Sequence, residues 1–214
     1  FASRIVLVLA VIIAFLAFLY FSRGISIILT ILIQVTIFSI ITMSLNLESG
    51  YSGIPQFGRV AAVIAGAFAV GAIPGRIMAA FMGLPAGAEY ASDTVNFRLV
   101  PEINALLASN WLLALGFLIM CLVLAALSGA LIGWLISRPA IRLKEGYLGI
   151  SMLAIGDFFM WVGHNWTIIV GGSVPVNVPD PFRMFGTARF SVIVPVFFVI
   201  AVLIFIYLNK LTQS

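Results

Sequence analysis

Charge is what this sequence has least of. Only 8% of its 214 residues are Asp, Glu, Lys or Arg, while 63% are hydrophobic; an ordinary soluble domain carries about 25% charged residues. So few charges cannot cover a surface facing water. With a mean hydropathy of +1.23 the chain reads as a polytopic membrane protein. Cysteine is nearly absent, and the single Cys121 lies in an apolar run, which excludes a disulfide framework within the chain. The one histidine, His164, has no second histidine or thiolate to complete a metal shell. It also lacks a nucleophile in a strand-turn-helix context, so no catalytic constellation emerges and the chain does not read as an enzyme. No basic run or basic helix face occurs, so the net charge of +4 is loop bias and not a nucleic-acid footprint. A glycine-rich loop with a phosphate-binding lysine is missing too, which argues against ATP hydrolysis by this chain.

What is present is a series of long apolar runs. Ile5 to Phe21, Ile25 to Leu45, Leu112 to Ile136, Tyr147 to Val170 and Phe190 to Leu208 each have about the ~17–25 residues a spanning helix needs. In lipid only helices and closed barrels satisfy their own backbone, and such runs lack a barrel's alternation. The first run follows Arg4 without a small-x-small cleavage site before the next, so it is expected to be a retained helix and not a signal peptide. The expected fold is all-α: a single transmembrane domain over 1–214, a bundle of about six spans. The third of these, in chain order, is the irregular stretch 46–83, which makes Tyr147 to Val170 the fifth and Phe190 to Leu208 the sixth. There Asn46 to Gly58 holds three glycines and a proline, and Ile73-Pro74-Gly75 interrupts the apolar run that follows. This stretch is expected to be irregular or re-entrant and to lead into a kinked helix. Ala61, Ala65, Ala69 and Gly66, and later Ala125, Gly129 and Gly133, form small-residue faces for close helix packing.

Leu84 to Asn110 is the most polar stretch, with Glu89, Asp93 and Glu102 against Arg98. Arg138 to Gly146 is a basic loop, with Arg138, Arg142 and Lys144 against Glu145. Basic residues in short loops favour the cytoplasm, which places 138–146 inside and the acidic 84–110 and 171–189 loops outside. Lys210 and Arg4 agree with that orientation, and Arg23 dissents.

Asp157 is the sharpest residue. A charge at the centre of a span costs roughly 2.5–3.5 kcal/mol, so it marks a polar path or a proton or cation site, or else an acid bonded to a neighbouring helix for packing. Asp157, Trp161 and Asn165 recur at i, i+4 and i+8, on one helical face, with His164 on the adjacent one. The stretch 46–58 is either an ordinary extramembrane loop or irregular backbone inside the membrane, which must line a cavity or be buried in protein; in the second case Asn46, Tyr51, Gly53, Gln56, Gly58 and Arg59 are candidates for the same pathway.

Two stretches also carry a resemblance. The first is Ser44-Leu45-Asn46-Leu47-x-x-Gly50-Tyr51-x-Gly53, then Phe57-Gly58 and a run rich in alanine and glycine to Gly71. The second is Arg142-Leu143-Lys144-x-x-Tyr147-Leu148-x-Ile150, then Gly156, Asp157, Asn165-Trp166 and Gly171-Gly172. Together they resemble the permease subunits of branched-chain amino-acid ABC importers, the LivH/LivM family, and the M-type more than the H-type. Arg59 and Gln56 stand where that family usually has histidine and serine, and Asp157 where it commonly has Glu. The resemblance implies a transport subunit in the plasma membrane (the inner membrane where a cell has two), handling a small polar solute such as a branched-chain amino acid. It implies a second permease, cytoplasmic ATPases and an external solute-binding protein as partners. ATP would then sit on the partners, with no cofactor or metal on this chain. Arg138, Arg142, Lys144 and Glu145 would form the coupling loop. Similar permeases continue beyond the point matching Ser214, so the chain is expected to be shorter than the family's. A stand-alone proton- or ion-coupled carrier using Asp157 and His164, and a purely structural subunit, remain alternatives.

Overall fold

The computed structural model describes residues 2–51, 53, 58–140, 143 and 145–213. Among them all regular structure is helical. The α-helices are α1 (Ala2–Arg23), α2 (Ile25–Leu45), α3 (Arg59–Ala72), α4 (Pro74–Phe81), α5 (Asp93–Ser109), α6 (Trp111–Ala140), α7 (Glu145–Asn165), α8 (Thr167–Val170) and α9 (Arg189–Gln213). Among the described residues four helical stretches are long and apolar enough to cross a membrane: Ile25–Tyr51, Arg59–Phe81, Trp111–Arg138 and Arg183–Thr212. At 22 and 21 residues, α1 and α7 also have the length for a crossing.

The chain forms two compact units, Phe1–Leu47 with Phe185–Ser214, and Glu48–Met184. In the first unit α2 packs along α9 and α1. Leu32, Val35, Thr36, Ser39 and Met43, one face at helical spacing, look onto Phe198, Ala201, Val202 and Phe205. The hydroxyls of Thr30, Thr36, Ser39 and Thr42 each donate to the carbonyl four residues earlier, at 2.7–2.9 Å. These four hydroxyls thus satisfy themselves within α2 and need neither water nor a partner helix. Phe18, Phe21, Phe38, Phe198 and Leu203 are exposed, as a surface facing lipid requires.

The second unit is built on α3 against α6. Ala61, Ala65 and Gly66 are buried. A Cβ on Gly66 would lie 3.5 Å from the Ala125 carbonyl oxygen, and one on Gly129 would lie 3.6 Å from that of Ala62. The helices therefore meet backbone to backbone, as small-residue faces allow. A Cβ on Gly133, the last small residue of that α6 row, would meet nothing within 4 Å.

Three expectations change. The segment after Leu45 stays helical, as a π-helical turn over Asn46–Tyr51; the wider turn absorbs residues that an α-helix would not hold in register. The acidic 84–110 stretch is not a loop. It holds a 3₁₀ turn, Ala88–Ala91, and the 17-residue α5. Asn96, Leu99, Val100, Ile103 and Leu107 of α5 are buried, and Leu99, Ile103 and Leu107 pack with Met78, Tyr90 and Phe117 into one core. The expected fifth span, Tyr147 to Val170, breaks at Trp166, which leaves the helical region (φ −96, ψ 78), so α7 ends at Asn165. The interruption expected at Ile73-Pro74 is present, separating α3 from α4.

Candidate functional site

The break between α7 and α8 opens a cleft of about 700 Å³ in the second unit. One wall is the face Ile64, Ala67, Phe68 and Gly71 of α3. The other is the end of α7, Met160, Trp161, Gly163, His164 and Asn165, and the floor is Val170, Gly172, Pro175, Val176 and Val178. The walls are apolar except for His164 and Asn165. That is the usual make-up of a small-molecule pocket, apolar with a few convergent polar groups.

Local chemistry explains why the chain turns here. Gly171 and Gly172 are both left-handed (φ 80 and 71), a conformation that side chains with a Cβ rarely adopt. Gly171 caps α8, its N–H donating to the Thr167 carbonyl at 2.9 Å. At Gly163 a Cβ would strike the Phe68 ring, so this glycine lets α7 close onto the cleft wall.

Arg76 holds the arrangement in place. Its guanidinium donates to the carbonyls of Ala72 at 2.5 Å, Ile169 at 3.4 Å, Gly87 at 3.2 Å and, in a shorter contact, Ile168. It lies 5.3 Å from the centre of the Tyr90 ring. One cation therefore serves the frayed carbonyl ends of α3 and α8, where helix dipoles favour positive charge. Burial pushes the Tyr90 phenol above its ordinary range. Backbone N–H groups, its own and that of Gly87, hold the exposed Glu89 carboxyl below its ordinary range. The loop beyond the cleft is tied to α5. Asn96, 1% exposed, donates to the Asn177 carbonyl at 3.2 Å and accepts from the Asn177 N–H at 2.7 Å. Asn104 accepts from the Asp180 N–H at 2.7 Å.

Of the residues singled out in the sequence, Asn165 lines this cleft with His164. The Asn165 amide donates to the Trp161 carbonyl at 2.8 Å, finishing its own helix. Asp157 is exposed on α7, two turns before Asn165, and is not part of the lining. It has no hydrogen-bond or ion-pair partner among the described residues. Its neighbour Gly156 is buried against α3, where an added Cβ would lie 3.8 Å from that of Val60. Arg59 forms an ion pair with Glu48 of the π turn. Gly58 is buried at the N-cap of α3, Tyr51 is 64% exposed, Asn46 is exposed in the π turn, and Gly53 is left-handed. Arg138 stacks 3.8 Å over the Trp134 ring, and Glu145 opens α7. Gln56, Arg142 and Lys144 lie outside the described residues. The sequence reading missed Arg76, Asn96 and Phe68; for Arg76 the signal was an ionisable group in an otherwise apolar stretch.

The family model described as "Branched-chain amino acid transport system / permease component" matches residues 27–213. The chain is 34% identical over 192 residues to the Methanocaldococcus jannaschii protein named "Probable branched-chain amino acid transport permease protein LivM". That match covers 89% of this chain and 54% of the relative, so the chain spans about half the length of that protein. No solved structure matches it. The apolar helical stretches, the broken helix at the cleft and the family match over nearly the whole chain agree: this is a multi-pass membrane protein, and it belongs to the branched-chain amino acid transport permease family.

Proposed function

We propose that the chain forms part of the translocation pathway of an ATP-driven importer for branched-chain or related amino acids. The family match over 27–213 carries this reading. The cleft supports it, because its apolar walls suit an aliphatic side chain while His164 and Asn165 offer the few polar contacts. In this reading Asn46, Tyr51, Gly53, Gln56, Gly58, Arg59, Asp157 and Asn165 contribute to the pathway. Arg138, Arg142, Lys144 and Glu145 make the loop on which the ATPases act. A second permease, two ATPases and an external binding protein complete the machine, and ATP is bound and hydrolysed by the partners alone.

The test is uptake of radiolabelled leucine by vesicles carrying the assembled importer. Uptake is expected only with the binding protein on the substrate side and ATP on the ATPase side. Asp157→Ala is expected to lower the rate several-fold, a loss of roughly 1 kcal/mol, at an unchanged amount of inserted protein. Unchanged uptake would remove Asp157 from the pathway, and uptake driven by a pH gradient without ATPase would overturn the importer reading.

A further inference from the structure

Arg59 and Glu48 meet in an unusual way. An arginine and a carboxylate commonly close two parallel bonds, both nitrogens onto both oxygens. Here only Arg59 Nη2 and Glu48 Oε1 are joined. Glu48 Oε2 and Arg59 Nη1 are shut off from solvent and have no hydrogen-bond partner among the described residues. Buried charged atoms rarely stay unsatisfied in a native protein, and each exception calls for a reason. Glu48 also sits in the π turn Asn46–Tyr51, and single π turns occur often at functional sites. A lone anion would satisfy only the arginine, and a lone cation only the glutamate. A ligand carrying an ammonium and a carboxylate side by side satisfies both.

We propose that the Glu48–Arg59 pair recognises the zwitterionic head of an α-amino acid, the ammonium donating to Glu48 Oε2 and the carboxylate accepting from Arg59 Nη1. This rests on the amino-acid reading above and adds the site that reads the ligand's two charges. The Arg59 side chain is 14% exposed and that of Glu48 37%, so the pair is not sealed within the fold.

The assembled importer in lipid nanodiscs, without its binding protein, is titrated with leucine, with 4-methylpentanoate (the same skeleton without the amine) and with 3-methylbutylamine (without the carboxylate). The wild type is expected to bind leucine at least about tenfold more tightly than either half-ligand. Glu48→Gln is expected to erase the preference for leucine over 4-methylpentanoate, and Arg59→Gln the preference over 3-methylbutylamine. The double variant Glu48→Gln/Arg59→Gln leaves no unpaired charge and keeps the result readable if a single variant fails to insert; it is expected to lose both preferences. Variants that insert and retain the wild-type ratios overturn the proposal and leave water as the bridging group. So does a wild type that takes up leucine yet shows no preference in binding. A wild-type importer that takes up no amino acid defeats the functional reading itself.

Discussion

Arg76 and Asp157 show how two ionisable residues inside apolar sequence reach opposite ends. Asp157 drew attention because it stands alone in a long run. Arg76 directly follows Ile73-Pro74-Gly75, where the sequence pattern points to a break rather than to a charge in a span. The same argument about charge in lipid applies to both, but sequence spacing cannot show that the carbonyls of Ile168 and Ile169, some ninety positions away, converge on Arg76. Charged-group hydrogen bonds are worth roughly 1.5–3 kcal/mol each, and some of that is regained when water reaches the freed carbonyls. Arg76→Ala is therefore expected to destabilise the protein by about 3 kcal/mol, read as a lowered midpoint of unfolding in detergent. Arg76→Lys is expected to fall between the two, since a single ammonium cannot span carbonyls on both α3 and α8. Equal stability of Arg76→Ala and the wild type would mean that the α7–α8 break is held by its glycines alone.

At the scale of elements, periodicity read α3 well and α5 badly. The alanine and glycine face of α3 points where its spacing says, and the interruption falls at the proline. The buried set of α5, Asn96, Leu99, Val100, Ile103 and Leu107, follows helical spacing just as faithfully. It was hidden by four charged side chains in the surrounding stretch and by an asparagine in the core, which counts as polar until its partner, the Asn177 backbone, is known. The break at Trp166 was illegible for another reason: no proline marks it, and the double glycine that does lies five residues on. The α3–α6 contact makes a sharp comparison within one row of α6. A Cβ on Gly129 would sit against the Ala62 carbonyl, whereas one on Gly133, one turn later, would meet nothing within 4 Å. Gly129→Leu is expected to force the helices apart and cost about 1–3 kcal/mol as overpacking. Gly133→Leu is expected to be neutral or to gain up to roughly 1 kcal/mol from helix propensity. Equal effects of the two substitutions, measured by thermal unfolding in the same detergent, would show that the small-residue face is not what brings α3 and α6 together.

At the largest scale, that of the whole second unit, charge is sorted along α6. Within Glu48–Met184, α6 runs 30 residues, roughly 45 Å at 1.5 Å per residue, and outreaches the ~30 Å hydrocarbon core. At its start stand Trp111 and the acidic 84–110 stretch, which the structure turns into the ordered helix α5 with its core face on α4 and α6. At its other end are Arg138, stacked on Trp134, and the basic loop leading to α7. Basic residues are retained on the cytoplasmic side during insertion, whereas acidic ones contribute little. The membrane orientation that follows puts α5 and the α7–α8 cleft on the outer side and residues 138–145 on the inner side. Phe97 on α5 is 73% exposed and Leu143 is 39% exposed, so each can carry a reporter cysteine. In a Cys121→Ala background, Phe97→Cys is expected to react with a membrane-impermeant maleimide in intact cells. Leu143→Cys is expected to react only after the membrane is opened. The opposite pattern would invert the topology and place the cleft on the cytoplasmic side. Labelling of both sites from one side would mean that α6 does not cross the bilayer at all.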